Sequence, residues 1–144
     1  MEEKDLVFVM EIERASFSNP WHLSSFLGEI ANYDMSFPYV VIHSRLEKII
    51  GYIIFWLVKD EAQISNFAVH PDFRGRGLGE DVLSRALELI RKQGGREVIL
   101  EVRPSNTAAC FLYAKFGFRV AGVRKNYYHL PSEDALVMVK DFDQ

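Results

Sequence analysis

Asn66-Phe67-Ala68-Val69-His70-Pro71-Asp72-Phe73-Arg74-Gly75-Arg76-Gly77-Leu78-Gly79-Glu80 is the stretch from which the rest of the chain can be read. It begins as an apolar strand, breaks at His70-Pro71, and turns through three glycines interleaved with two arginines. An amphipathic helix follows. Glycines allow close backbone approach and positive φ. The unpaired N–H groups of a first helical turn, aligned with the helix dipole, attract an anion. The stretch therefore predicts a phosphate-bearing ligand at residues 74–80. Solvated arginines in an ordinary surface turn are the plain alternative.

Upstream, Asp5 can cap a helix whose apolar face includes Leu6, Val9, Met10, Ile12 and Phe17. Ser18-Asn19-Pro20 ends it, and Leu23 to Ala31 reads as a second short helix. Tyr39 to His43, Ile49 to Val58 and Ala62 to Val69 read as strands joined by short polar turns, an antiparallel meander. Downstream, Leu78, Val82, Leu83, Ala86, Leu87 and Ile90 fall at helical spacing over 79–93, and Gly94-Gly95 stops that helix. Val98 to Val102 is a buried-type strand with one acid, Glu101. Ser105-Asn106 caps a helix over 107–116. Phe118 to Val123 and Ala135 to Val139 close the chain as strands, with 124–134 as the loop between them. This order predicts an α+β, mixed α/β layout around one central sheet, and a single domain over 1–144.

Bulk properties narrow the possible partners. A chain of 144 residues with 49% apolar and 26% charged residues has the make-up of an ordinary globular domain. A formal net charge of −3 argues against broad nucleic-acid or anionic-membrane binding. One cysteine, Cys110, excludes an internal disulfide and two-cysteine metal motifs, and fits a reducing, cytoplasmic setting. The acidic start Met-Glu-Glu-Lys-Asp has no signal-peptide character, and the apolar run from Ile49 to Val58 is too short to span a bilayer. The four histidines show no ligand spacing, so no metal is expected.

The glycine spacing decides which phosphate ligands to set aside. Gly75-x-Gly77-x-Gly79 is not the dinucleotide fingerprint, and no lysine-bearing phosphate loop is present. The meander also differs from a doubly wound parallel sheet.

Other blocks resolve the choice. Arg74-x-x-Gly77-x-Gly79 resembles the pyrophosphate signature of the GNAT superfamily of N-acetyltransferases. Leu100-Glu101-Val102-Arg103-Pro104-Ser105-Asn106 and Ala108-Ala109-x-x-Leu112-Tyr113-x-x-Phe116-Gly117-Phe118 match it at corresponding places. Arg124-x-Asn126-Tyr127-Tyr128 with Glu133-Asp134-Ala135, and Ile12-Glu13-x-Ala15-x-Phe17-x-x-Pro20-Trp21, resemble one branch, the bacterial ribosomal-protein-alanine acetyltransferases.

The resemblance implies a GNAT fold whose sheet splays between the strand ending near Val69 and the strand holding Glu101. It implies acetyl-coenzyme A as cosubstrate, with its pantetheine arm paired to the backbone of Phe67, Ala68 and Val69 like an added strand. Arg74 and the amides of Gly75, Arg76, Gly77, Leu78, Gly79 and Glu80 would hold the pyrophosphate, and Asn106 the arm. Glu101 would be the base, Tyr113 the acid, and a backbone N–H near Val69 the oxyanion donor. The acceptor would be a protein N-terminus, with a ribosomal protein as candidate. Neutralising a lysine of pKa near 10.4 at pH 7.5 costs roughly 4 kcal/mol, against under about 1 for an α-amine of pKa near 8. A lysine or small-molecule amine acceptor is the nearest rival, and a silent acyl-coenzyme A sensor the rival from another class.

Each residue also has a plainer reading. Alternation leaves the side of Glu101 undecided, and Tyr113 could be an ordinary half-buried aromatic. Cys110 reads as a packed residue, and His70 as part of a surface turn. Tyr127-Tyr128 divides between core and peptide platform. Trp21, Tyr33 and the loop 124–134 could line the acceptor groove, or Trp21 could only anchor the first helix pair. Family members begin with a strand, whereas only Met1 to Lys4 precede Asp5, so that strand is expected to be missing or vestigial.

Overall fold

A strand that is apolar on both faces needs cover on both. β2 (Ile49–Val58) is such a strand. Ile53 and Phe55 point into one core, and Tyr52 and Ile54 into a second one on the opposite face. The first core is closed by α3 (Leu78–Lys92) and α4 (Thr107–Lys115), the second by α1 (Leu6–Ser16) and α2 (Leu23–Ala31). The computed structural model describes residues 1–143. In it the six-stranded sheet runs β1-β2-β3-β4-β6-β5, with β1 (Ser36–Ile42), β3 (Glu61–Val69), β4 (Glu97–Val102), β5 (Arg119–Tyr128) and β6 (Glu133–Asp141). The three-strand meander is antiparallel, as expected. β3 and β4 pair in parallel over only three residue pairs, Glu61–Glu97, Ala62–Val98 and Gln63–Ile99. The α3 crossover permits that parallel pair.

β3 changes sides partway along. Ile54 pairs with Asn66 and Phe55 with Ile64, so Ser65 is an extra residue, a β-bulge. Before it, Ala62 and Ile64 face the α3/α4 core. After it, Ala68 faces the α1/α2 core, and Asn66 is buried against α1. The bulge shifts the strand's phase by one residue, which is why the sequence shows only partial alternation.

Two boundaries differ from the expected ones. β1 reaches back through Pro38 to Ser36. A proline is tolerated because β1 is an edge strand: the Pro38 carbonyl points away from β2 and accepts from the Met1 amino group at 3.0 Å. A short 3-10 turn at Glu3–Asp5, with no strand, joins that contact to α1. At the other end, most of 124–134 is not loop. β5 continues to Tyr128 and β6 starts at Glu133. Asp134 accepts from the Asn126 N–H at 2.8 Å, and Asn126 takes a left-handed φ of 51° that absorbs an irregularity in the ladder.

Candidate active site

Beyond Gln63 and Ile99 the two central strands lose contact, leaving Ile64–Val69 and Leu100–Val102 on either side of a gap. His70 N–H donates to Ile50 O of β2, so by strand alternation the main-chain groups of Phe67 and Val69 face the gap. Two of them already have partners. Phe67 N–H donates to Asn66 Oδ1 at 2.9 Å, and Val69 O accepts from Arg74 Nε at 2.9 Å. Ala68 faces the α1/α2 core with its side chain.

The glycine turn follows. Gly75 and Gly77 both have left-handed φ, 76° and 77°. Gly77 caps α3, and no side chain caps that helix. Among the described residues, the N–H groups of Gly75, Arg76, Gly77, Leu78, Gly79 and Glu80 make no internal hydrogen bond. A run of free donors at the positive end of a fifteen-residue helix is an anion cradle. Gly77→Ala puts a side chain into the left-handed region at a cost of about 1–2 kcal/mol. A thermal melt should drop by a few degrees, and an unchanged melt would contradict the geometry.

The two arginines have separate duties. Arg74 turns back on the fold: Nε bonds Val69 O and Nη2 bonds Ser16 Oγ at 2.8 Å, while its own N–H donates to Pro71 O. It ties the end of β3 to the end of α1. Arg76 lies over the Phe73 ring at 5.3 Å. His70 accepts from Asp72 N and packs edge-on against Phe73, consistent with the surface-turn reading.

Glu101 stands on the far wall. Val98, Leu100 and Val102 of β4 go to the α3/α4 core, so Glu101 points to the other face, which alternation alone had left open. Its side chain is 10% exposed and lies 3.4 Å from Arg124 Nε, while Gln63 Nε2 donates to it at 3.3 Å. Tyr127 and Tyr128 are close by. Burial raises both phenols, Tyr128 to about 12, and in each the negative charge of Glu101 adds to the shift.

Tyr113 comes from α4 on the opposite face of the sheet. It is 8% exposed, packs edge-on against Phe118 at 5.6 Å, and burial pushes its phenol well above the ordinary value. Its hydroxyl has no hydrogen-bond partner among the described residues, yet it is not a sealed orphan atom. It therefore retains an opening. Asn106 caps α4 by accepting from Ala109 N at 3.1 Å, leaving its amide NH₂ without a described partner. Cys110, one turn before Tyr113's end of the helix, has its thiol raised by burial and sits 3.7 Å from Arg103 O, as a packed residue would.

The acetyltransferase (GNAT) family profile matches residues 6–118. The chain belongs to the GNAT acetyltransferase family. It is an N-acetyltransferase of the kind that draws its acetyl group from acetyl-coenzyme A. A Bacillus subtilis protein, provisionally named a ribosomal protein bS18-alanine N-acetyltransferase, is 41% identical over 96% of this chain and 90% of its own. The crystal structure of the Escherichia coli ribosomal-protein-S18-alanine N-acetyltransferase superposes with a TM-score of 0.89 at 32% identity, covering 98% of this chain and 90% of that one. Arabidopsis thaliana Naa50, bound to the bisubstrate analogue CoA-Ac-MVNAL, superposes with a TM-score of 0.84 at 25% identity, covering 99% and 95%.

Trp21 is partly buried against the α1/α2 core and packs on Phe26 at 5.2 Å. Tyr33 is 82% exposed. Arg103 lies 4.3 Å over the Tyr128 ring and bonds His129 O, Pro131 O and Glu133, fastening the β5–β6 hairpin to the end of β4. Ser105 donates to Glu133 from both N and Oγ, and those bonds, with Arg103, hold the Glu133 carboxyl below its usual range. Arg124 as the partner of Glu101 was not foreseen, because the approach depends on β5 continuing past Val123. Among the described residues no group of three or more His, Cys, Asp and Glu is placed to hold a metal ion, and no helix is long and apolar enough to cross a membrane.

Proposed function

We propose that this acetyltransferase acetylates the N-terminal α-amine of a protein, with an alanine-starting ribosomal protein as substrate. The observation that carries this reading is Glu101, set on β4 beside the gap with Arg124 and two tyrosines around it. The reading assigns Tyr113, whose hydroxyl on α4 has no hydrogen-bond partner among the described residues, to the other side of the gap. The names of the Bacillus and Escherichia relatives support the acceptor. The cradle from Gly75 to Glu80 takes the pyrophosphate, Asn106 offers its free amide to the arm, and the main chain of Phe67 to Val69 lines up the thioester. Arg74 contributes by shaping the turn, since its guanidinium already has protein partners.

The reaction is direct attack. The neutral amine nitrogen adds to the thioester carbonyl, and Glu101 takes the proton the nitrogen sheds. The oxyanion that forms is stabilised by a backbone N–H near Val69. The C–S bond then breaks. A coenzyme A thiol has a pKa in the range of an ordinary thiol, about 8.5, below that of an unperturbed phenol. Burial raises Tyr113 further, so its acid role is strongest as a hydrogen bond to sulfur while negative charge builds there. No acyl-enzyme is required, because the thioester is already activated. A single domain in a reducing, cytoplasmic setting belongs to this reading, supported by the lone cysteine.

Acceptor profiling tests it. With a thiol-release assay and an N-terminal peptide library, peptides beginning with Ala or Ser should be acetylated on the α-amine. Turnover confined to lysine side chains or free small amines would favour those acceptors instead.

A further inference from the structure

Glu13 is a carboxylate in the wrong place for ordinary stability. It lies on the inner face of α1, 1% exposed, among Val9, Ile12, Phe26 and Tyr52. None of the described salt bridges includes it. Burying such a group is costly unless hydrogen bonds compensate. Three donors converge on it: Tyr52 Oη and Asn66 Nδ2 (2.8 Å) on Oε1, and the Trp21 N–H (2.9 Å) on Oε2. An apolar residue would fill the same space more cheaply. The location of those donors suggests what the carboxylate does.

Asn66 is the first residue after the Ser65 bulge, where β3 changes phase. It is 8% exposed, and both ends of its amide are engaged. Nδ2 donates to Glu13, and Oδ1 accepts the Phe67 N–H. A side-chain amide gripped at one end and bonded to the main chain at the other fixes the local orientation of that main chain. Tyr52, on the neighbouring strand, is paired with Ala68 and bonds the same Glu13 oxygen. Glu13 thus holds β3 directly at Asn66, and holds Tyr52 of β2, the residue paired with Ala68 on the far side of Phe67.

From this chain of bonds we infer that Glu13 is a positioning residue for acetyl transfer. Through Asn66 and Tyr52 it sets the bulge, and so the aim of the Phe67–Val69 main chain at the thioester. The inference rests on the function proposed above, but Glu13 itself touches no substrate. A displaced oxyanion donor is felt in the transition state more than in the bound ground state, so its effect belongs to kcat.

Glu13→Gln tests this with little change of shape. A glutamine has one acceptor oxygen, and its NH₂ must face either the Trp21 N–H or the pair formed by Asn66 and Tyr52. Steady-state kinetics below the melting temperature should show kcat reduced about tenfold or more, with KM for acetyl-coenzyme A within about threefold. Asn66→Ala should lower kcat similarly, and the double variant should fall little further, since both act through one lever. If Glu13→Gln does not fold, Asn66→Ala alone decides. A folded Glu13→Gln or Asn66→Ala with kcat within about twofold of wild type overturns the inference, as does full additivity of the two losses. Failure of the function is separate: wild-type protein would then acetylate no peptide, whereas here wild type is active and only the variants are compared.

Discussion

Glu101→Gln should lower kcat for a peptide acceptor by about a hundredfold or more, with affinity for acetyl-coenzyme A unchanged within about twofold. The substitution keeps the shape, and the new amide can still meet Gln63. What it loses is the capacity to take a proton from nitrogen. General-base catalysis by a placed carboxylate is worth about 10²–10⁴ in rate, or roughly 3–5 kcal/mol. Stability should barely move, because the lost ion partner, Arg124, is 59% exposed and such pairs contribute little. Steady-state kinetics paired with calorimetry separates the two effects. A kcat within about threefold of wild type would remove Glu101 from the base role.

Tyr113→Phe should cost about tenfold to a hundredfold in kcat, by removing the donor proposed to meet the departing sulfur. The ring stays packed against Phe118, so the fold keeps its stability. The pH profile supplies a second reading. The wild-type rate should climb as the acceptor amine becomes neutral near pH 8. It should then hold a plateau past pH 10, since the Tyr113 phenol, raised by burial, still carries its proton there. A falling limb near pH 9–10 that disappears in Tyr113→Phe would show an ordinary phenol titrating, contrary to its burial. Unchanged turnover in the variant would remove Tyr113 from the reaction.

How much of this was legible beforehand depends on which interactions are local. Helix α2 has the predicted limits, and β2 runs from Ile49 to Val58 as read, because periodicity and turn residues are properties of adjacent positions. The glycine turn was legible for the same reason: Gly75 and Gly77 do take left-handed backbone. The side of Glu101 was not, since it depends on which face of β4 the α3 helix covers. The Ser65 bulge has no mark in its own residues. Its trace is a polar residue at an apolar position on two separate elements, Asn66 on β3 and Glu13 on the stripe Leu6-Val9-Met10-Glu13, and only their contact explains either. Arg74 has a second set of contacts that its place in the signature does not reveal: its guanidinium bonds Val69 O and, across the fold, Ser16 Oγ.

The brief ladder between β3 and β4 has a consequence for how the molecule keeps to itself. Exposed strand edges invite other chains, and proteins ordinarily blunt or hide them. This sheet has four edges, not two: the outer rims at β1 and β5, and two inner rims where the middle strands part. The outer rim at β1 is blunted by Pro38 and the Met1 amino group. The inner rims face one another within a single molecule, flanked by two three-stranded ribbons that share the core beneath α3 and α4. A fold built this way can keep main-chain donors and acceptors open for a slender substrate without offering them to a neighbouring sheet.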